Sequence, residues 1–295
     1  MKTKALFILA LTIGCTYQLQ AQNLLEELNR VNKDSVYDIS ATFKATRLSI
    51  GHSVETRKKN VLEISAMTRY WNTQRETSNS FVADKMSARF GLDYGISDRL
   101  TFGLGLSTQG IVWDGFLKYR LVKQQNKGNI ASITLLQTAT HRDLDDISNN
   151  IYSGTSGSFS FSDKLAFTTQ LLIARKFSRN FSLQIAPTYI HRNTSIFQGD
   201  RDQYAVGFGG RYKVGRHVSV VSEYYYVLNP VDSPDTYGPF SLGVNWELSD
   251  LMLQFKMTNN GAFVEDTFIT RTQNNFNFRD GNFYFGFHAT YFIQL

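Results

Sequence analysis

Along most of the chain, apolar and polar residues alternate one by one. Met86, Ala88, Phe90, Leu92 and Tyr94 alternate with Lys85, Ser87, Arg89, Gly91 and Asp93. Leu100, Phe102, Leu104 and Leu106 alternate with Thr101, Gly103, Gly105 and Ser107, and Phe240, Leu242, Val244 and Trp246 with Ser241, Gly243, Asn245 and Glu247. A period of two puts each set on its own face of a strand. One face is apolar with aromatic ends; the other is small, polar and often charged. About twelve such segments recur, near 61–70, 85–94, 100–107, 114–123, 130–140, 164–177, 181–190, 203–214, 218–228, 240–248, 251–258 and 282–295. Short connections (95–99, 178–180, 215–217, 249–250) alternate with long ones (71–84, 141–163, 191–202, 229–239, 259–281). The pattern predicts an all-β, up-and-down transmembrane β-barrel of about twelve antiparallel strands over 61–295, with its short turns in the periplasm. A soluble sandwich would share the alternation with its apolar face turned inward. It would explain neither the short and long connections nor the aromatic residues at both strand ends.

The two ends of the chain add an address. Lys2 and Lys4, the apolar run Ala5–Gly14 and small Ala21 read as a secretory signal over 1–21, cleaved before Gln22. A lipoprotein signal ending at Cys15 is the rival, disfavoured by Thr12 where Leu is usual. The last strand carries Phe283, Phe285, Phe287, Ala289, Tyr291, Ile293 and Leu295 on one face, to the final residue. Such an ending resembles the signal read by the outer-membrane insertion machinery, so the expected location is the outer membrane, in contact with its lipid. Residues 22–60 lack the rhythm. Leu24, Leu25, Leu28 and Val31 sit at helical spacing, and Arg57-Lys58-Lys59 is a basic run. Two main readings stand for this segment, a periplasmic lead-in or a plug folded into the lumen, with an extra strand as the third.

Composition narrows the picture further. A mean hydropathy of −0.26 with no apolar run of membrane-helix length after the signal excludes a helical membrane bundle. With 14% aromatic residues disorder is not expected, and a single Cys excludes a disulfide scaffold. The net charge of +6 is spread without a Lys/Arg stripe, so no nucleic-acid partner is expected.

Catalytic and metal chemistry find little support. His217 and Ser219 invite comparison with an outer-membrane phospholipase, but a triad there must face lipid near the outer leaflet. The strand directions put His217 at a periplasmic turn and Ser219 on the lumen face. His52, His141, His191, His217 and His288 are scattered without metal-ligand spacing. Asp143, Asp145 and Asp146 lack a Gly-punctuated calcium-loop pattern. No enzyme activity, cofactor or metal is expected. The lumen face is more informative. It projects Arg69, Lys85, Arg89, Lys118, Arg120, Arg211, Lys213 and Lys256 inward against only Glu63, Asp93, Glu223 and Glu247. Those acids cannot pair those bases one to one, and a buried charge without a partner is costly. Water, a plug or a bound anion must serve the remainder. A wet, basic lumen would favour anions, with Arg89, Lys118, Arg120, Arg211, Lys213 and Lys256 as the selectivity residues. The expected function is a narrow passive channel for small, anionic solutes. The alternative is a closed structural or interaction barrel acting through its outer loops or a periplasmic protein partner.

Three blocks carry a family resemblance: 41–55 (ATFKATRLSIGHSVE), 89–103 (RFGLDYGISDRLTFG) and 114–120 (DGFLKYR). They resemble a family of bacterial outer-membrane β-barrels described as a membrane-bound β-barrel domain of unknown function. The resemblance implies fold and location, and it brings no ligand or catalytic residue.

Overall fold

The computed structural model describes residues 36–71, 84–143, 159–195, 199–277 and 283–295. The signal reading of 1–21, the helical spacing at 23–32 and most of the loops 71–84 and 141–163 lie outside the described residues. Twelve strands form: β1 (Val61–Trp71), β2 (Lys85–Ser97), β3 (Leu100–Ser107), β4 (Val112–Val122), β5 (Ser132–Arg142), β6 (Leu165–Lys176), β7 (Phe181–Arg192), β8 (Asp202–Lys213), β9 (Val218–Val227), β10 (Phe240–Glu247), β11 (Leu251–Thr258) and β12 (Tyr284–Gln294). One helical turn, α1 (Glu265–Thr270), interrupts the connection between β11 and β12.

Each strand pairs with its chain neighbours, and β1 pairs with β12, so the sheet closes into an up-and-down barrel. The seam runs antiparallel from Val61 opposite Gln294 to Tyr70 opposite Phe285. Closure leaves no strand edge, the condition a sheet must meet in lipid. The register shifts between Gly95 and Ser97 and between Arg120 and Val122. Both shifts lie near the end that carries the barrel's N- and C-termini, here called the terminal end. The opposite end, with the long connections, is the loop end. The alternation of short and long connections breaks twice. The loop-end connection 108–111 is short and the terminal-end connection 123–131 is long. The long turn has a clear physical reason: the incoming N-terminal segment docks on it. The Ile39 N–H donates to the Gln124 carbonyl at 2.8 Å, and Asp38 forms a β-bridge with Gln125.

The two faces of the wall differ as the alternation requires. Phe90, Leu92, Leu104, Trp113, Phe208, Trp246, Phe255 and Tyr291 are exposed on the outside. A water-facing surface this apolar would aggregate; in a bilayer it is solvated. Aromatic residues gather towards the strand ends, among them Trp113, Tyr189, Tyr204, Tyr224 and Tyr226 at the loop end, and Tyr119, Phe177, Phe181, Tyr212 and Trp246 at the terminal end. The inward face is polar yet buried. Thr101, Lys118, Thr134, Gln170, Ser219, Gln254 and Thr290 are all within 0% exposure. A polar face with no contact to water means that something else fills the lumen.

The bilayer placement sets a depth-dependent test. Leu92→Arg, mid-strand on the outer face, should destabilise the barrel by about 2–4 kcal/mol in denaturant titrations in lipid vesicles. Leu121→Arg, at a strand end, should cost only about 0–1 kcal/mol. Equal costs at the two depths would contradict the placement.

Candidate functional site

The lumen is filled from both ends. From the terminal end, residues 41–56 enter as an irregular hairpin. Ser53 N–H donates to the Thr46 carbonyl at 2.8 Å, and Leu48 N–H to the Gly51 carbonyl at 2.9 Å, leaving Ser49-Ile50 as the tip. The segment alternates small polar residues with Phe43, Leu48, Ile50 and Val54, all of them buried. The chain then leaves the lumen and turns into β1 at Asn60, whose φ of 61° is a left-handed conformation that Asn tolerates. Asn60 is held by its N–H on the Gly95 carbonyl at 2.9 Å and by the Leu295 N–H on its own carbonyl at 2.8 Å.

The wall grips this hairpin mainly through its backbone. Glu223 accepts the N–H groups of Ser49 (2.7 Å), Ile50 (2.6 Å) and Gly51 (3.1 Å), so one carboxylate satisfies three donors at the tip. Lys256 donates to the Ser49 carbonyl. Lys118 donates to the carbonyls of Thr46 (2.9 Å), Ser53 (3.0 Å) and Glu55 (3.2 Å). The Gln184 side-chain amide accepts from Val54 N–H and donates to the His52 carbonyl, both at 2.7 Å, much as a neighbouring strand would. Thr134 and Gln254 donate to the Val54 and Leu48 carbonyls at 2.7 and 2.8 Å. An irregular segment has no sheet or helix partners of its own, and burial obliges every amide and carbonyl to find one. Fit matters as much as bonding. A β-carbon on Gly51 would overlap the Tyr225 hydroxyl, and one on Gly105 would overlap the Arg89 guanidinium.

From the loop end, residues 259–272 fold inward and carry α1. Glu265, Asp266, Phe268, Ile269 and Thr270 are buried. The two acids open the helical turn, where negative charge suits the exposed N–H groups. Glu265 pairs with Arg47 of the hairpin at 3.0 Å, and Asp266 with Arg142 of β5 at 3.1 Å. Arg192 donates to the Asp266 carbonyl and to the Thr270 hydroxyl. The two insertions therefore meet inside the barrel. Ile50, Ile190, Ala205, Tyr225, Phe268 and Ile269 form one apolar cluster at the meeting point. Nearer the terminal end, Phe43, Leu48 and Val54 pack on Phe116, Leu136, Leu172 and Val221. Fully burying each such side chain contributes about 1.5–3 kcal/mol. Clefts of about 660 and 530 Å³ open at the terminal mouth and on the lipid-facing wall, and neither crosses the barrel.

All six residues expected to select anions lie on the inner wall, and each has a partner. Arg89 makes a two-point pair with Asp114. Arg120 pairs with Glu55 at 2.7 Å, and Arg211 and Lys213 share Glu247 at 3.1 and 3.3 Å. Lys118 and Lys256 hold the hairpin carbonyls described above. The lumen is thus packed where a wet passage was expected. The inventory drawn from sequence omitted Asp114, which shares the parity of Lys118 and could have been found by counting back along β4. It also omitted Glu55, Glu265 and Asp266, which lie outside strands and carry no periodic signal. Lys85, placed inward by parity, is exposed at the loop-end rim. His217 contacts the Glu247 main-chain carbonyl at 3.0 Å, while the Ser219 hydroxyl donates to the Glu247 side chain at 2.9 Å. Ser219 and His288 both face the lumen, where His288 lies 3.0 Å from the Thr290 hydroxyl. No cluster of three or more metal-ligating side chains occurs among the described residues.

A family profile described as membrane bound beta barrel domain (DUF5777) matches residues 43–292. The match begins inside the hairpin, so it spans plug and barrel together. Among solved structures, a NanC porin is similar over 79% of this chain and 99% of its own, at 6% identity and a TM-score of 0.49. A KdgM porin is similar over 78% of this chain and 98% of its own, at 8% identity and 0.48. A Pseudomonas aeruginosa FadL homologue is similar over 79% and 90%, at 12% identity and 0.36. At these scores and identities the similarity says nothing about cargo. No curated protein matches the chain.

The grip of Glu223 on the tip is directly testable. Hydrogen bonds to a charged group are worth about 1.5–3 kcal/mol each, so Glu223→Ala should speed amide exchange at Ser49, Ile50 and Gly51 by at least about tenfold. Exchange at mid-barrel amides should stay unchanged. Unaltered protection at the tip would contradict the role assigned to this carboxylate.

Proposed function

The chain belongs to this family of membrane-bound β-barrels, and on that premise we propose that it is an outer-membrane barrel closed at rest by its own N-terminal segment. Export uses the signal over 1–21, and the terminal end faces the periplasm. Small anionic solutes pass only when the hairpin 41–56 withdraws towards the periplasm. The carrying observation is the chemistry of the interface between hairpin and wall. Beside its apolar contacts it carries many hydrogen bonds from wall side chains to hairpin backbone, and water can solvate those wall groups when the bonds break. The bared wall is basic. Withdrawal removes the carbonyl partners of Lys118 and Lys256, the carboxylate partner of Arg120 and the amide partners of Glu223, while Arg211 and Lys213 keep only Glu247 between them. A basic lumen favours anions through its field.

A second reading has its own support. The cluster joining Ile50 to Phe268 and Ile269 is apolar and continuous across the two insertions. A barrel held shut by such a core would act through its loops or a periplasmic partner and never conduct.

A disulfide lock separates the two. The Ser49 and Ser241 hydroxyls lie 2.6 Å apart, one on the hairpin tip and one on β10. The mature chain, once Cys15 has left with the signal, can carry Ser49→Cys with Ser241→Cys as its sole thiols. In planar bilayers the oxidised protein should be silent and the reduced protein should conduct in voltage-driven bursts. A barrel lacking 22–60 should conduct steadily with anion preference, which Arg120→Glu with Arg211→Glu should lower. Silence of the reduced and the shortened barrels, each shown folded by heat-shifted gel mobility, would defeat the conducting reading and leave the closed one.

A further inference from the structure

The cleft at the terminal mouth has the chemistry of a binding site. We propose that it binds an amphiphilic anion, a molecule with one phosphate or carboxylate and one flat apolar part. The cleft measures about 660 Å³, within the range of small-molecule sites. One wall is the hairpin with its exit towards β1, which supplies Lys44, Arg57 and Lys58; the other is the barrel rim, which supplies Arg120, Lys123 and Phe292. Five of these six side chains are cationic, and the acids lining the same cleft are Glu55, Asp98 and Asp250.

Partners distinguish structural cations from available ones. Arg120 is engaged by Glu55 and Arg57 by Glu63. Lys44 donates to the Ser249 carbonyl at 2.9 Å. Lys123 meets Asp38 at 3.2 Å on the open rim and, by its hydrogen bond, holds that carboxyl below the usual carboxylate range. Solvent screens this pair, so a ligand can compete for it. The Lys58 side chain is exposed and makes no hydrogen bond or ion pair among the described residues. The Phe292 ring gives the cleft an aromatic surface, with the Lys44 ammonium and the Arg57 guanidinium lying over it at 5.4 and 5.2 Å from its centroid, contacts that a flat group can displace or share. The ring, Lys58 and Lys123 line the same cleft, so a flat apolar group and an anion each find a partner within it. Charge-assisted contacts to the anion and stacking on the ring are separable contributions.

The site requires only the closed barrel, so it is independent of whether the lumen ever opens. The test is calorimetric titration of the full mature chain in phosphatidylcholine nanodiscs with phenyl phosphate as probe and inorganic phosphate as its anion-only counterpart. The expected result is saturable one-to-one binding of phenyl phosphate that weakens with added salt and is at least tenfold tighter than that of inorganic phosphate. Lys58→Glu, at an exposed position, should weaken phenyl phosphate at least tenfold. Phe292→Leu should erase the difference between the two probes. No saturable binding, equal affinity for the two probes, or an unchanged isotherm in Lys58→Glu would overturn the proposal.

Discussion

Lys118 and Lys256 are buried on the inner wall of a closed sheet, and the interior is organised around giving their ammonium groups oxygen atoms. Leaving such a group without a partner away from water costs several kcal/mol. Strand residues cannot supply main-chain carbonyls to the lumen, because the sheet ladder uses them. An irregular segment can. The hairpin 41–56 brings its carbonyls to both lysines, and its N–H groups in turn require the acceptor that Glu223 provides. Cation, hairpin and carboxylate satisfy one another, and removing any one leaves buried polar groups on the other two.

The same reciprocity joins the ends of the barrel. Arg47 on the hairpin and Glu265 on α1 arrive from opposite mouths and pair at 3.0 Å. The apolar contact of Ile50 with the Phe268 cluster fills the space beside that pair. This interior is built like the core of a soluble domain, close-packed and with most polar groups hydrogen-bonded. The exterior is solvated by lipid. The wall between them is one residue thick, which is why a period of two in the sequence reports both environments at once.

That period made the barrel legible. All twelve strands fall within a few residues of the alternating segments, because each strand must present one apolar and one polar face. The occupied lumen was harder to read. Parity alone marks Lys118 or Arg211 as inward but cannot say whether water or protein meets it. One signal was present and went unread. Phe116, Leu136, Leu172, Ile190, Val221 and Tyr225 carry inward parity, and bulky apolar groups on a lumen face need protein beside them. The hairpin and α1 were beyond reach for a different reason. Their contacts join residues far apart in the chain, 218 positions in the case of Arg47 with Glu265, and no local pattern encodes such a pair.

The hairpin 41–56 occupies the lumen of the membrane-embedded barrel. Thiol accessibility tests this in a chain whose single Cys, Cys15, is replaced by Ser. Single variants Ile50→Cys at the tip and Lys58→Cys at the mouth can be exposed to a small water-soluble thiol reagent in lipid vesicles. Lys58→Cys should react at the rate of a free thiol, while Ile50→Cys should stay unmodified until the barrel is denatured. Equal reaction rates at the two positions in the folded barrel would put the tip outside the lumen.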